Sequence, residues 1–183
     1  MTVGHRWSLR CGKLCFIGVL LVCGAARGEV LYQQVHAFGF MGSGGVPQAP
    51  LMVGPDGTLY GTTYQGGNSG RGTVFAMNPD GSQFRTLYDF LAAPDGARPY
   101  AELLLGADGA IYGTTELGGT NGDGTIFRIQ PDGSGYEVIY HFALATGARP
   151  RGQLVQGADG ALYGTTQSGG PNNGVGTVYT IRP

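Results

Sequence analysis

The sequence predicts an all-β, β-propeller-like protein built from three four-stranded repeats. Two observations carry this expectation. A Leu/Ile-Tyr-Gly-Thr-Thr signature recurs at Leu59, Ile111 and Leu162, spaced by 52 (111 − 59) and 51 (162 − 111) residues. Within each period, tight-turn signals divide the chain into four short apolar runs. Other residues keep the same register. Gly72-Thr73-Val74-Phe75, Gly124-Thr125-Ile126-Phe127 and Gly176-Thr177-Val178-Tyr179 lie 52 apart, as do Pro79-Asp80-Gly81 and Pro131-Asp132-Gly133.

The middle copy defines the strands, named a to d. Strand a is expected over Ala101–Leu105, b over Ala110–Thr115, c over Gly124–Ile129 and d over Tyr136–Phe142. Ala107-Asp108-Gly109 separates a from b, and Pro131-Asp132-Gly133 separates c from d. Proline presets φ, Asp tolerates the turn and glycine takes φ > 0, so these are hairpin connections. Strand d alternates: Tyr136, Val138, Tyr140 and Phe142 against Glu137, Ile139 and His141. That is the pattern of a strand with one packed face and one wet face.

The two ends complement each other. The third copy stops at Ile181-Arg182-Pro183, before a strand d. Leu31–Phe38 has the character of a strand d with no strands a to c before it. Tyr32 lies 52 before Phe84, and Phe38 lies 52 before Phe90. The N-terminal strand is therefore expected to complete the last repeat, closing the fold as propellers commonly do. The approximate repeats are 47–98, 99–149 and 150–183 plus strand 31–38. Propellers typically have roughly four to eight blades, more than one chain supplies. A homodimeric ring, a fragment of a larger propeller, and a threefold β-trefoil or β-prism all fit the repeat count.

These motifs resemble the GloVer tandem-repeat family of exported bacterial proteins with a choice of C-terminal anchor. The Asp-Gly, Tyr-Gly-Thr-Thr, Gly-Gly and Gly-Thr-Val/Ile-Phe/Tyr signals carry the resemblance over essentially all of residues 29–183. It implies export and a propeller-like fold, and brings no catalytic residues with it.

Residues 1–28 read as a secretory signal peptide. Arg6, Arg10 and Lys13 precede the apolar run Leu14–Ala26, and Ala26 and Gly28 suit cleavage before Glu29. The run is too short to span a bilayer, so no stable membrane span is expected after cleavage. Cys11, Cys15 and Cys23 all leave with this segment, as does Lys13, the one lysine. The remaining chain has 7 arginines against 12 acids, a net charge of 7 − 12 = −5. Nucleic acid, which needs clustered positive charge, is not expected as a partner. No cofactor or metal is implied: the Gly118–Gly124 loop has the look of a calcium loop, but its two sister loops lack carboxylates.

The functional expectation is an exported, non-catalytic binding or surface-interaction module acting in the periplasm, at the cell surface or outside the cell. Its ligand would be a glycan or a protein. Candidate binding residues are the repeated Tyr60, Tyr112 and Tyr163, the d–a loop arginines Arg98 and Arg149, and the b–c loop asparagines Asn68, Asn121 and Asn172. Aromatic faces stack on sugar rings, arginine pairs with anions, and loops on rigid sheets commonly carry binding groups. Glu102 and Glu116 are the acid–base pair that an alternative carbohydrate-active enzyme would use.

Overall fold

The computed structural model describes residues 31–183 apart from Phe40, Ala92 and Asn173. The expected signal segment 1–28 lies outside the described residues. Twelve antiparallel strands form three sheets, and no helix occurs among the described residues. The first sheet is β1 (Met52–Val53), β2 (Leu59–Thr63), β3 (Thr73–Met77) and β4 (Arg85–Asp89), in that order. The second is β5 (Gly96–Pro99) and β6 (Leu104–Leu105), both paired with β7 (Ile111–Gly118), followed by β8 (Thr125–Ile129) and β9 (Glu137–His141). The third is β10 (Val155–Gln156), β11 (Leu162–Thr165) and β12 (Val178–Ile181). Each is an up-and-down meander, as a propeller blade requires. Three separate meanders packed face on face exclude the β-trefoil and β-prism alternatives.

Two details differ from the sequence reading. β5 falls in what reads as a d–a loop. Its Gly96 and Ala97 pair with Gly118 and Leu117, because strand b continues past its Thr-Thr pair and offers a free edge. Single bridges, Gly45 with Gln65 and Ala148 with Ser168, repeat the arrangement in the other two sheets. The second difference is at the ends. The third sheet stops at β12, and residues 31–38 form no named strand. The expected completion of the last repeat is therefore not made within the chain. His36 and Phe38 lie instead on the first sheet, against Phe84 and Phe75.

Glycine in the Tyr-Gly-Thr-Thr strand has a specific use. Gly61, Gly113 and Gly164 stand directly opposite Phe75, Phe127 and Tyr179 on the neighbouring strand. The aromatic ring lies across the glycine, so a Cβ on Gly113 would overlap the Phe127 ring. The second threonine of each pair bonds across the sheet: Thr63 to Thr73 at 2.9 Å, Thr115 to Thr125 at 2.7 Å, and Thr166 to Thr177 at 2.9 Å. Such a partner satisfies a hydroxyl buried in a sheet, whereas the first threonines, Thr62 and Thr114, bury theirs without one.

Strand alternation gives every sheet two apolar faces. Tyr60, Val74 and Ala76 of the first sheet form one core with Leu103, Ile111, Phe127 and Ile129 of the second. Tyr112 and Ile126 of the second form another with Leu154 and Leu162 of the third. The last aromatic of each strand d closes the seam. Phe90 meets Phe127 at 5.4 Å and Phe142 meets Tyr179 at 5.0 Å between ring centroids, both edge to face.

Two alanine substitutions separate the glycine roles. Gly113→Ala overpacks the seam and should lower stability by about 1–3 kcal/mol. Gly109→Ala sits at φ +80° with open space around it and should lose only about 1 kcal/mol, from the left-handed backbone. Urea midpoints of the two variants check the ranking.

Candidate functional site

Meander topology puts the short a–b and c–d turns at one end of the sheets and the b–c and d–a loops at the other. The loop end is tied together by the backbone. The Arg98 amide donates to the Arg71 carbonyl and the Arg149 amide to the Asp123 carbonyl, both at 2.8 Å. Each bond joins a b–c loop to the d–a segment that follows it. The residue before the loop proline is left-handed in every repeat: Val46 at φ 58°, Arg98 at 58° and Arg149 at 56°. Non-glycine residues avoid this region, and a residue before proline ordinarily prefers extended backbone. The strain is accepted at three equivalent places, each in the segment that leads into a sheet.

One cluster at this end draws residues from all three repeats. Tyr64 and Glu116 each follow a Thr-Thr pair; Tyr100 and Arg151 each follow a loop proline. Arg151 bonds Glu116 Oε1 at 2.6 Å, and the Tyr64 hydroxyl donates to Glu116 Oε2 at 2.9 Å. Both carboxylate oxygens are thus engaged. The Glu116 side chain is 6% exposed and that of Arg151 is 35% exposed. The carboxylate beside it holds the Arg151 guanidinium in its charged form still more firmly. The Tyr64 and Tyr100 rings meet edge to face at 6.1 Å. The Arg98 guanidinium lies 5.5 Å from the Tyr64 ring centre, and that of Arg151 lies 5.3 Å from Tyr100. Both distances suit a cation–aromatic contact. Arg98 also lines a 310 Å³ concavity with Arg71 and Leu117.

Of the candidate binding residues, Arg98 belongs to this cluster. Arg149 is exposed at the same end, one repeat on. Asn68 and Asn121 are held in their loops: the Asn68 amide donates to Asp89, and the Asn121 side chain donates to the Phe142 carbonyl. Asn172 is exposed. The tyrosines divide. Tyr60 and Tyr112 are buried in the seams between sheets, and Tyr163, on the last sheet, is 37% exposed. Tyr112 and Tyr163 bond Asp108 and Asp159 in their own a–b turns, at 2.8 and 3.3 Å. Glu102 is half-buried, outside the bonded Tyr64–Glu116–Arg151 group. Sequence reasoning passed over Tyr64, Tyr100 and Arg151. The signal was present: after the invariant Thr-Thr the three repeats read Tyr64, Glu116 and Gln167, a varied residue on a repeated frame.

A wider cavity of 660 Å³ lies at the turn end, where Asp108 meets Tyr112 and Asp159 meets Arg182. Its polar groups are largely paired with each other. The loop end presents Arg98 exposed and unbridged among the described residues, and it is the better candidate despite the smaller concavity.

The profile of the Gloeobacter/Verrucomicrobia repeat family matches residues 26–183. The chain belongs to this repeat family. A search among curated proteins finds no match. Among solved structures, the chain resembles XC5397 of Xanthomonas campestris, described as a gluconolactonase important in glucose secondary metabolic pathways. The TM-score is 0.50 with 20% identity, over 73% of this chain and 44% of that one. A second structure, assigned as a gluconolactonase on its protein family, gives a TM-score of 0.47 with 14% identity, over 72% and 48%. The chain thus spans less than half the length of either. The first likeness shows the fold, and the protein is a β-propeller-like repeat protein.

Buried tyrosines make stability fall in alkali. Burial, then a hydrogen bond to Asp108, pushes Tyr112 up to about 12. Burial raises Tyr88, Tyr136 and Tyr179 as well, with Asp95 adding to the first two. In the unfolded chain the phenols ionise from about pH 10, while the folded chain still holds their protons. The stabilisation should be complete below pH 10 and fall as pH rises from 10 toward 12; urea midpoints against pH, with tyrosinate absorbance, check this. A second expectation concerns the buried pair. Glu116→Leu should cost about 1–3 kcal/mol, moderated by the exposure of Arg151. Adding Arg151→Leu should cost less than the sum of the two single changes, which a double-mutant cycle measures.

Proposed function

We propose that this repeat protein is an exported, non-catalytic binding module whose loop end recognises carboxylate-bearing glycans. The observation that carries this reading is the alternation of Arg98, Tyr64, Tyr100 and Arg151 on one surface. Tyrosine faces and edges suit the apolar flank of a sugar ring, and guanidinium groups suit its carboxylate. Glu116 supports binding over hydrolysis, because Arg151 and Tyr64 already occupy both of its oxygens. A general acid has to offer its proton to a leaving group. Export follows the sequence pattern of residues 1–28. The lactonase activity named for the structural neighbour is a property of that protein.

The test is calorimetry against uronic-acid and neutral oligosaccharides of equal length. The acidic ones should bind and the neutral ones should not. Tyr100→Ala and Arg98→Ala should each weaken binding about five-fold or more, near 1 kcal/mol, with unchanged circular dichroism. Equal binding of neutral sugars, or hydrolysis of either set, would overturn the reading.

A further inference from the structure

Three features of the chain are complementary to one another. The first is a sheet face. Met52, Tyr60 and Val74 of the first sheet are covered by the second sheet, and Tyr112 and Ile126 of the second by the third. The same positions of the third sheet are Val155 (104 + 51), Tyr163 (112 + 51) and Val178 (126 + 52). They are 57%, 37% and 81% exposed. By repeat, this is a face that another sheet covers.

The second feature is an edge. β4 and β9 protect β3 and β8, but among the described residues no strand pairs with the outer side of β12. Beside β12 runs a cleft of 100 Å³ lined by Tyr140, Phe142, Tyr179 and Ile181. In the second sheet the matching place, between Tyr88, Phe90 and Phe127, is filled by Tyr136. The Tyr179 hydroxyl is buried there with no partner.

The third feature is a strand d without a blade. His36 stacks on Phe84 at 4.0 Å, as Tyr88 (36 + 52) stacks on Tyr136 at 3.5 Å. Phe38 meets Phe75 at 5.1 Å, as Phe90 (38 + 52) meets Phe127 at 5.4 Å. The segment therefore sits on the first sheet as the last strand of a preceding sheet would. Among the described residues, no named strand pairs with it.

We propose that two copies of this chain join head to tail in one closed ring of six sheets. The third sheet of each copy covers the first sheet of the other, and residues 33–37 of the partner subunit add to β12 as its missing fourth strand. The internal repeats set the register. Thr73 pairs with Asp89 and Val74 with Tyr88 in the first sheet. Two periods on from β3 and one period back from β4, Thr177 pairs with Ala37 of the partner subunit and Val178 with His36 of the partner subunit. Ala76 pairs with Arg85, which places Thr180 opposite Gln33 of the partner subunit. Tyr32 of the partner subunit (84 − 52) enters the cleft beside Tyr179. The occupant is a second copy because the chain itself carries both halves of the joint, in one register. It cannot join them alone: three blades are fewer than the roughly four that close a ring. Two such head-to-tail joints related by a twofold axis close without leaving an edge.

Light scattering on the purified protein should give the mass of two chains. Val178→Lys, at an 81% exposed position, should give one chain with the same β-type circular dichroism. The double variant Gln33→Cys with Thr180→Cys should form disulfide-linked dimers on mild oxidation. Paired strand residues lie within reach of such a bond. A single-chain mass at tens of micromolar, a dimer that Val178→Lys leaves intact, a disulfide closed within one chain, or an open ladder of oligomers would each overturn the proposal.

Discussion

An aromatic ring laid across a glycine on the neighbouring strand is the contact on which the three sheets depend. Phe75 over Gly61, Phe127 over Gly113 and Tyr179 over Gly164 set the spacing of strands b and c. They also make the ledge onto which the preceding strand d drops its own ring. A side chain larger than hydrogen at the glycine would push the ring outward and open the seam between sheets. The same three positions therefore serve twice, once within a sheet and once between sheets.

The second recurring device is the threonine pair. Its hydroxyls satisfy each other where the sheet is dry, and Gly44, Gly96 and Gly147 let the incoming d–a backbone lie directly on them. The loop end is thus anchored by small residues that vary little between repeats. Just beyond that anchor the repeats diverge: Tyr64, Glu116 and Gln167 after the Thr-Thr pair, and Gln48, Tyr100 and Arg151 after the loop proline. A rigid repeated frame with varied side chains at its end is a common way to build a binding surface. Here the variation places an ion pair at the middle repeat and tyrosine–arginine contacts around it.

Much of the fold was legible because each repeat reports on the others. The hairpin turns, the b and c strands and the alternation of strand d all follow from local chemistry. Tyr60 and Tyr112 show the limit of this legibility. Repetition beside Gly-Thr-Thr marks them equally as core or as ligand platform, and only the position of the next sheet buries them. Tyr163 has the same local sequence and lies partly open, with no sheet packed over it among the described residues. The meeting of Glu116 with Arg151 and Tyr64 was likewise illegible. These residues lie 35 and 52 positions apart, and sequence separation carries no information about which loops converge.

By itself, the sequence determined the all-β class, the four-stranded unit, its period and the strand-d character of residues 31–38. Those properties rest on turn chemistry and side-chain alternation, which act over a few residues. Tertiary structure decided where that segment goes. Composition suits residues 31–38 to either β12 or the first sheet of the same chain, and within the chain His36 and Phe38 pack on Phe84 and Phe75. It also decided which repeated residues face water and which loop residues meet. The physical reason is the same in each case: stacking sheets is a contact between distant segments, and its outcome depends on how many sheets there are to stack.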